Sequence, residues 1–375
     1  MDHVVKIKKG LDIQLEGIPS PKTSNTPDSQ LYAIIPDDFV GLTPKVIVKP
    51  GEKVLTGSPV IHDKTHPNIV VASPVSGEIV TIERGERRKV IKITIKPDAS
   101  QQALEFGRFD LENMDSSEIK DLLLKSGIFA FIKQRPYDIV ANPDTAPRDI
   151  FVTAFDSAPL APDYAFILKE EKQHFETGLK ALNKLTSGKV YVGISQRQPI
   201  DVKNATSVIF DGPHPAGNVG IQINHIAPID KGDTVWTMSA LDVLFIGRLF
   251  DKGIADFSRI VAVTGSEIDD PHYVRTRIGA SIASITQGMV KAVEYEQRYI
   301  SGNVLTGVKT DADGYIGATH SQITVIPEGN NYDEFLGWAS LNPHKYSTSH
   351  SYFSWLLGKK KKYTIDARIR GGERA

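Results

Sequence analysis

The sequence predicts an α/β protein of several domains, because the spacing of its apolar residues changes along the chain. Residues 1–102 contain many short β-branched runs separated by proline and glycine, which is typical of an all-β unit. Residues 103–256 alternate helical patterns with apolar strands, which indicates a mostly parallel sheet. Residues 257–330 return to strands around one short helical segment, and residues 331–375 begin a further segment.

The first unit is expected to consist of short strands that turn sharply at proline or glycine. The patterns VKPGEKVLTGSPVI and VVASPVSGEIVTI resemble the biotinyl/lipoyl-type barrel-sandwich fold. Many domains of that type carry no cofactor, so the resemblance predicts a fold and not an activity. The predicted strands are Val46–Val48, Val54–Leu55, Val60–Ile61, Ile69–Ala72, Ile79–Ile82 and Val90–Ile95.

The middle unit is expected to place helices between buried strands. A capping box at Asp115–Glu118 begins the first helix, and Gly127 ends it. The pattern predicts a second helix over Ala165–Thr186 and a third that is capped by Ser239 and Asp242 and ended by Gly253. The predicted strands are Asp149–Phe155, Val190–Ile194, Ser207–Phe210 and Thr234–Met238.

The third unit reads as a small β-grasp domain. A strand at Ile260–Val263 precedes a short helix that begins after Ser281. Two further strands are predicted at Ile300–Val308 and Tyr315–Val325, with a hairpin turn at Asp313-Gly314. Beyond this unit, Tyr352, Phe353 and Trp355 form an aromatic cluster that we expect to dock on a partner.

The composition excludes several classes of function. A net charge of −1 gives no reason to expect binding to nucleic acid. The absence of cysteine excludes disulfides, thiolate nucleophiles and cysteine-ligated iron–sulfur clusters. No run approaches the roughly 18 apolar residues of a membrane span. We also expect no metal site, because the pair His62 and His66 has no third ligand nearby and Pro67 argues against a helix there.

The segment GIFAFIKQRPYDIVANPDTAPRDIFVTAFDSAPLAPD resembles a flavin-binding site that has lost its glycines. Ligands of open α/β sheets sit at the carboxyl ends of strands such as Asp149–Phe155. A phosphate-binding loop needs glycines so that backbone N–H groups can approach the anion. No glycine occurs between Phe129 and Phe155. We therefore predict a vestigial flavin cleft whose residues include Phe129, Phe131, Gln134 and Arg135, with the two phenyl groups in the flavin's place.

Three long segments carry a resemblance to one family. They are RPYDIVANPDTAPRDIFVTAFDSAPLAPD, GPHPAGNVGIQINHIAPIDKGDTVWTMSALDVLFIGRLFDKG, and RTRIGASIASITQG followed by YISGNVLTG. The opening VVKIKKGLDIQLEGIP agrees with them. Over its whole length the chain resembles the A-subunit family of the Na⁺-translocating NADH:quinone oxidoreductases (Na⁺-NQR). That family continues beyond the GGERA motif, so residues 331–375 are expected to be the start of a C-terminal segment.

The resemblance implies a peripheral subunit, without a transmembrane helix, on the cytoplasmic face of the bacterial inner membrane. The complex oxidises NADH, reduces a quinone and moves Na⁺ outward. Other subunits carry the flavins, the iron–sulfur centre and the membrane spans, so this chain would bind no cofactor. Its expected partners are those subunits, chiefly a quinone-proximal membrane subunit. The domain order implied is that of the flavin-binding subunit of complex I, with a Rossmann-like domain before an SLBB-like β-grasp domain.

Two sets of residues are candidates for quinone contact. His214, Gly217, Asn218 and His225 lie in GPHPAGNVGIQINHIAP, which follows a buried strand and should form a loop at the ligand edge of the sheet. The alternative is that these glycines only make turns and that the histidines cap them or face a partner. Arg135 and Asp156 should face each other across the vacated cleft, either as a salt bridge or as contacts to a ligand. The family supplies no catalytic side chain.

Three functions remain open on these grounds. The first is a cofactor-free subunit that contributes to the quinone-reducing end of the complex. The second is a flavin- and NADH-binding dehydrogenase module, against which the missing glycines and cysteines count. The third is an assembly scaffold with no ligand.

Overall fold

A computed structural model describes residues 4–26, 29–330, 346, 356 and 361–367. The chain opens with two strands, β1 (Val4–Lys6) and β2 (Ser20–Asn25), that pair with strands formed much later in the sequence. The aromatic cluster Tyr352, Phe353 and Trp355 lies outside the described residues.

Two small antiparallel sheets follow, with the orders β3-β9-β8-β5 and β4-β6-β7. Ile61, Ile79 and Ile93, from both sheets, are fully buried in one hydrophobic core. Each predicted strand of this unit is present, with ends that differ by one to several residues. The strands are β3 (Tyr32–Ile34), β4 (Pro44–Val46), β5 (Lys53–Val54), β6 (Pro59–Asp63), β7 (Val70–Ala72), β8 (Gly77–Arg84) and β9 (Val90–Pro97).

The middle unit alternates strands and helices as predicted. Its strands are β10 (Lys133–Arg135), β11 (Ile139–Val140), β12 (Ile150–Thr153), β13 (Val190–Ser195), β14 (Thr206–Asp211) and β15 (Val235–Ser239). Its helices are α1 (Ser116–Lys125), α2 (Tyr164–Glu170), α3 (Lys172–Asn183), α4 (Val219–Ile226) and α5 (Ala240–Lys252).

These strands form one seven-stranded sheet in the order β1-β14-β13-β12-β15-β10-β11. The strands from β1 to β15 in that order are parallel, and β10 with β11 adds an antiparallel hairpin at the other edge. The sequence did not reveal that Val4–Lys6 would be the edge strand of this sheet. Because parallel strands need a long connection, their partner cannot be read from neighbouring residues.

The capping box of α1 is confirmed, since Asp115 accepts the N–H of Glu118 and the Glu118 side chain accepts the N–H of Asp115. The single helix predicted over Ala165–Thr186 is wrong. Glu171 takes φ −111° and ψ 17° and separates α2 from α3. Its carboxylate pairs with the buried guanidinium of Arg248 at 3.0 Å, so a tertiary contact coincides with a break that local propensity did not predict.

Ser239 caps α5 as predicted, by accepting the N–H of Leu241. The expected capping role of Asp242 is wrong. Its side chain is buried and forms an ion pair with Arg259 of the following unit. Gly253 ends the helix in the left-handed conformation, with φ 73°.

The third unit has a six-stranded sheet in the order β19-β18-β20-β16-β17-β2. Its own elements are β16 (Ser258–Thr264), β17 (His272–Arg277), α6 (Ile282–Ile285), β18 (Gln297–Ser301), β19 (Val308–Thr310) and β20 (Gln322–Pro327). The long strands predicted at Ile300–Val308 and Tyr315–Val325 are wrong. The chain leaves the sheet after Ser301 and returns at Val308, so the hairpin connection lies there and not at Asp313-Gly314.

Short segments from both chain ends complete this part of the molecule. β2 lies parallel to β17, and the backbone of Tyr363 exchanges hydrogen bonds with Gln14 and Glu16. Among the residues that the structure describes, no helix is long and apolar enough to cross a membrane.

Candidate functional site

A cleft of about 310 Å³ opens where the parallel strands of the middle unit end. Its lining includes Arg135, Asp156, His214, Gly217 and Asn218, which are five of the six residues predicted to contact a quinone. The cleft therefore lies where ligands of open α/β sheets bind. The opposite side is formed by residues of the third unit, namely Asn303, Leu305, Thr306 and Thr319.

Asp156 follows β12 and begins a tight turn. Its carboxyl accepts the N–H of Ala158 at 2.8 Å, and the residue keeps a minor part of its surface exposed. Surrounding protein raises the pKa of Asp156, and the donated hydrogen bond and nearby His214 only partly oppose that effect. The carboxyl is thus biased towards its protonated form.

His214 is fastened to the Asp156 turn by a chain of hydrogen bonds. The Ser157 hydroxyl accepts the N–H of Gly217 at 2.8 Å and lies 3.0 Å from Nδ1 of His214. Because that hydroxyl oxygen already accepts from Gly217, its own proton is available for Nδ1. This arrangement favours the neutral His214 tautomer that carries its proton on Nε2.

Gly217 sits where no larger residue fits. A Cβ at this position would lie 2.6 Å from the backbone nitrogen of Ser157 and 2.9 Å from its hydroxyl oxygen. Gly220, three residues later, has no atom within 4 Å of its virtual Cβ. Asn218 begins α4 without a side-chain capping hydrogen bond, and it lines the cleft.

His225, the sixth candidate, is not part of the cleft lining. It lies in the last turn of α4, where its Nδ1 is 2.8 Å from the carbonyl oxygen of Ile221. The ring is exposed. Its sequence distance from His214 places it at the far end of a helix that leads away from the strand ends.

The predicted salt bridge between Arg135 and Asp156 is wrong. Arg135 pairs with Asp138 at 3.1 Å, three residues along the β10–β11 hairpin. Asp138 takes a left-handed backbone conformation, with φ 53°, which aspartate tolerates better than most residues. The hairpin thus satisfies Arg135 locally, while Asp156 is bound by its own turn. Lys133, on the same strand, lies 3.8 Å from Asp138.

The residues of the predicted vestigial flavin cleft separate into two groups. Phe131 and Arg135 line the cleft, and Phe131 packs edge-on against Phe245 with ring centroids 5.2 Å apart. Phe129 is buried behind it against Trp236, at 5.5 Å. Gln134 points to another pocket, where its side-chain oxygen accepts the N–H of Asn142 at 2.8 Å.

Family models match most of the chain. The description "NqrA N-terminal barrel-sandwich hybrid domain" covers residues 5–98, "NqrA second alpha/beta domain" covers 114–255, and "NQRA C-terminal domain", a model named for its SLBB unit, covers 260–312. These matches confirm the predicted fold class and the order of its units.

Relatives match over nearly the whole sequence. A protein of Neisseria meningitidis serogroup B, which bears the name of the A-subunit of a Na(+)-translocating NADH-quinone reductase, is 35% identical over 99% of this chain and 84% of its own length. A Serratia proteamaculans protein of the same name is 36% identical with the same coverage. The chain belongs to this A-subunit family. A solved NAD⁺-reducing [NiFe]-hydrogenase overlays 60% of the chain and 52% of its own at 7% identity, with a TM-score of 0.39 that carries no argument.

Several lining residues of the cleft were not foreseen. Tyr164, at the start of α2, has its hydroxyl 3.5 Å from that of Ser239, and burial raises its pKa to about 12. The apolar side chains of Phe155 and Met238 also line the cleft. The loop at Asn303–Thr306 belongs to the segment YISGNVLTG, which the family resemblance had singled out without assigning it a place.

Among the described parts of the chain, no three His, Cys, Asp or Glu side chains gather as a metal site would require. His62 bonds its Nδ1 to the carbonyl oxygen of Asp63, 2.8 Å away. His66 faces the carboxylate of Asp63 at 3.5 Å and that of Asp144 at 3.8 Å.

Proposed function

We propose that this chain is a peripheral subunit of a sodium-translocating NADH:quinone reductase, docked on the cytoplasmic face of the bacterial inner membrane. In that assembly NADH and quinone become NAD⁺ and quinol while Na⁺ is moved outward. The family name of the relatives supports membership of such a complex. The part that this chain would play is to bind the quinone head group at the reducing end.

The observation that supports this role is the mixed lining of the cleft at the strand ends. A quinone ring is flat and apolar, with two carbonyl oxygens that accept hydrogen bonds. Phe131, Phe155 and Met238 supply apolar surface, whereas His214 and Arg135 carry donors. A mostly apolar cavity with a few polar groups is the usual form of a small-molecule site.

We further propose that the chain carries no flavin and no iron–sulfur cluster. The cleft has no glycine-rich loop, and its back wall is filled by Phe129 and Phe131, which are both buried. Electrons for the quinone would then come from redox centres of other subunits. The partner that this geometry requires is a membrane subunit placed beside the cleft mouth.

The test uses the complex purified from its native host and a photoreactive quinone analogue. We expect labelled peptides from the segments that contain Asp156, His214 and Asn303, and we expect unlabelled quinone to prevent the labelling. The isolated chain should bind quinone only at micromolar or weaker affinity, because a half-open cleft buries little of the ring. Its absorbance spectrum should show no flavin band.

Two outcomes would contradict the proposal. Labelling confined to other subunits would favour the role of an assembly scaffold without a ligand. A stoichiometric flavin band in the isolated chain would favour the dehydrogenase module. The matched control is a complex in which Met238 is replaced by Trp, because the added ring would occupy the cleft and should abolish labelling of this chain alone.

A further inference from the structure

We propose that Asp156 donates one of the two protons that the quinone takes up when it is reduced. This inference rests on the proposed binding of quinone in the cleft. It assigns a chemical step to one carboxyl group that the family resemblance leaves without a role.

Asp156 differs from the other acidic groups of the cleft in having no cationic partner. Asp138 pairs with Arg135, and Asp242 pairs with Arg259. Across the described residues, no ion pair includes Asp156. A carboxyl that is enclosed by protein and lacks a cation favours its neutral form, which can donate a proton.

The position of Asp156 also suits a donor. It lines the cleft at the end of β12, and the N–H of Ala158 fixes one carboxyl oxygen at 2.8 Å. The hydrogen bond from Ala158 leaves the second carboxyl oxygen to carry the proton. Burial raises the pKa of this group, so it retains its proton at a higher pH than an exposed aspartate does.

The step balances in atoms and electrons. Two electrons reach the quinone from NADH through the redox centres of the complex. The O–H bond of Asp156 breaks, and a new O–H bond forms on one quinone oxygen. Water supplies the second proton. The Asp156 carboxylate then recovers a proton from solvent through His214, whose ring is held beside the same turn by Ser157.

Other titratable groups face the same cleft and must be considered in any pH profile. Tyr164 has its pKa raised to about 12 and stays neutral throughout the working range. The remaining groups around Asp156 are His214 on the following loop, Lys133, Arg135 and Asp138 on the hairpin, and Asp242 on α5.

The experiment compares complexes that contain Asp156→Asn, Asp156→Glu or the control Asp201→Asn. Asp201 is an exposed aspartate of the same unit that pairs with Lys172. We expect Asp156→Asn to lower kcat for quinone reduction about 100-fold, which is the low end of the contribution of a general acid. KM for quinone and photolabelling of the cleft should stay unchanged, and Asp156→Glu should restore much of the rate.

The pH profile distinguishes proton donation from a structural role. In the unchanged complex, kcat should fall as the pH rises through the pKa of the donor, because the carboxylate form cannot donate. Asp156→Asn should lose this decline and also the solvent deuterium isotope effect. Asparagine can still accept the N–H of Ala158, so the turn is expected to persist.

The outcomes separate the two proposals. If the analogue labels only other subunits in the unchanged complex, both proposals are wrong. If the cleft is labelled but Asp156→Asn keeps the rate and pH profile of Asp201→Asn, quinone binding stands and Asp156 is not the donor. If Asp156→Asn does not assemble, infrared difference spectra of the unchanged complex decide. They must show a protonated carboxyl that loses its proton on quinone reduction and is displaced in frequency in Asp156→Glu, and their lack of such a band overturns the proposal.

Discussion

The two sides of the cleft are held in place by different forces. The side formed by the middle unit is fixed by short hydrogen bonds among neighbouring loops, such as that from Gly217 to Ser157. The side formed by the third unit is attached through charged groups, namely the Asp242–Arg259 ion pair and the bond from Ala318 to Asp38. Changes on the first side should therefore alter the site, and changes on the second should alter the stability of the whole chain and its pH dependence.

The largest effect is expected from Asp242→Ala. It would leave the buried guanidinium of Arg259 without its carboxylate, although the group would still lie over the Phe245 ring at 5.1 Å. Removing one partner of a buried ion pair costs about 3–5 kcal/mol. Urea unfolding followed by tryptophan fluorescence should show a loss of that size.

The double variant Asp242→Leu with Arg259→Met is the control for this comparison. Because it removes both charges, it should recover most of the lost stability. If Asp242→Ala is no less stable than the double variant, the ion pair does not hold the two units together.

A smaller effect, confined to the site, is expected from Gly217→Ala. The new Cβ would lie 2.6 Å from the Ser157 nitrogen, so the loop carrying His214 must move. Crowding of this kind costs about 1–3 kcal/mol. Labelling of this chain by the quinone analogue should fall sharply. Gly220→Ala, where the Cβ meets no atom within 4 Å, should leave both properties intact. Equal behaviour of the two alanine variants would show that this side of the cleft is not preformed.

The smallest effect concerns pH. Burial raises the pKa of Asp38 to about 6 from 3.8, and burial followed by Arg259 and Lys133 lowers that of His320 to about 4 from 6.5. The raised Asp38 pKa makes its contribution to stability fall as the pH rises towards 6. The lowered His320 pKa makes its contribution rise with pH over nearly the same window. These two contributions oppose each other on either side of Gly317.

In Asp38→Asn only the His320 contribution remains. Its free energy of unfolding should therefore rise between pH 4 and 6.5 more steeply than that of the unchanged chain. Urea titrations across this window measure the slope, and His320→Gln should change it in the opposite sense. Identical slopes in all three proteins would contradict the assignment of these two groups.

The sequence predicted the parts of the fold that depend on local pattern. Buried β-branched runs located β12 to β15, and Asp115 and Glu118 located the start of α1. The position of Asp156 and His214 at the strand ends followed from the rule for parallel sheets. Family membership was also confirmed, because long motifs such as GPHPAGNVGIQINHIAP are specific.

Features that depend on distant contacts were not predictable in the same way. The break at Glu171 accompanies its pairing with Arg248, which lies far along the chain. Arg135 was expected to reach Asp156, but its local partner Asp138 is nearer. The loop Asn303–Thr306 faces the cleft only because two units pack together, and no periodicity of one segment encodes that packing.

The pairing of β1 with β14, and of β2 with β17, has a consequence for synthesis on the ribosome. Both early strands emerge long before the strands that they will flank, so they must wait while the barrel-sandwich unit folds between them. During that interval their backbone groups are unpaired, and the edges of the later sheets stay open until they arrive. Closure of these edges would thus be a late event, and a circular permutant that moves Val4–Lys6 to follow β14 should acquire its folded form sooner than the natural order.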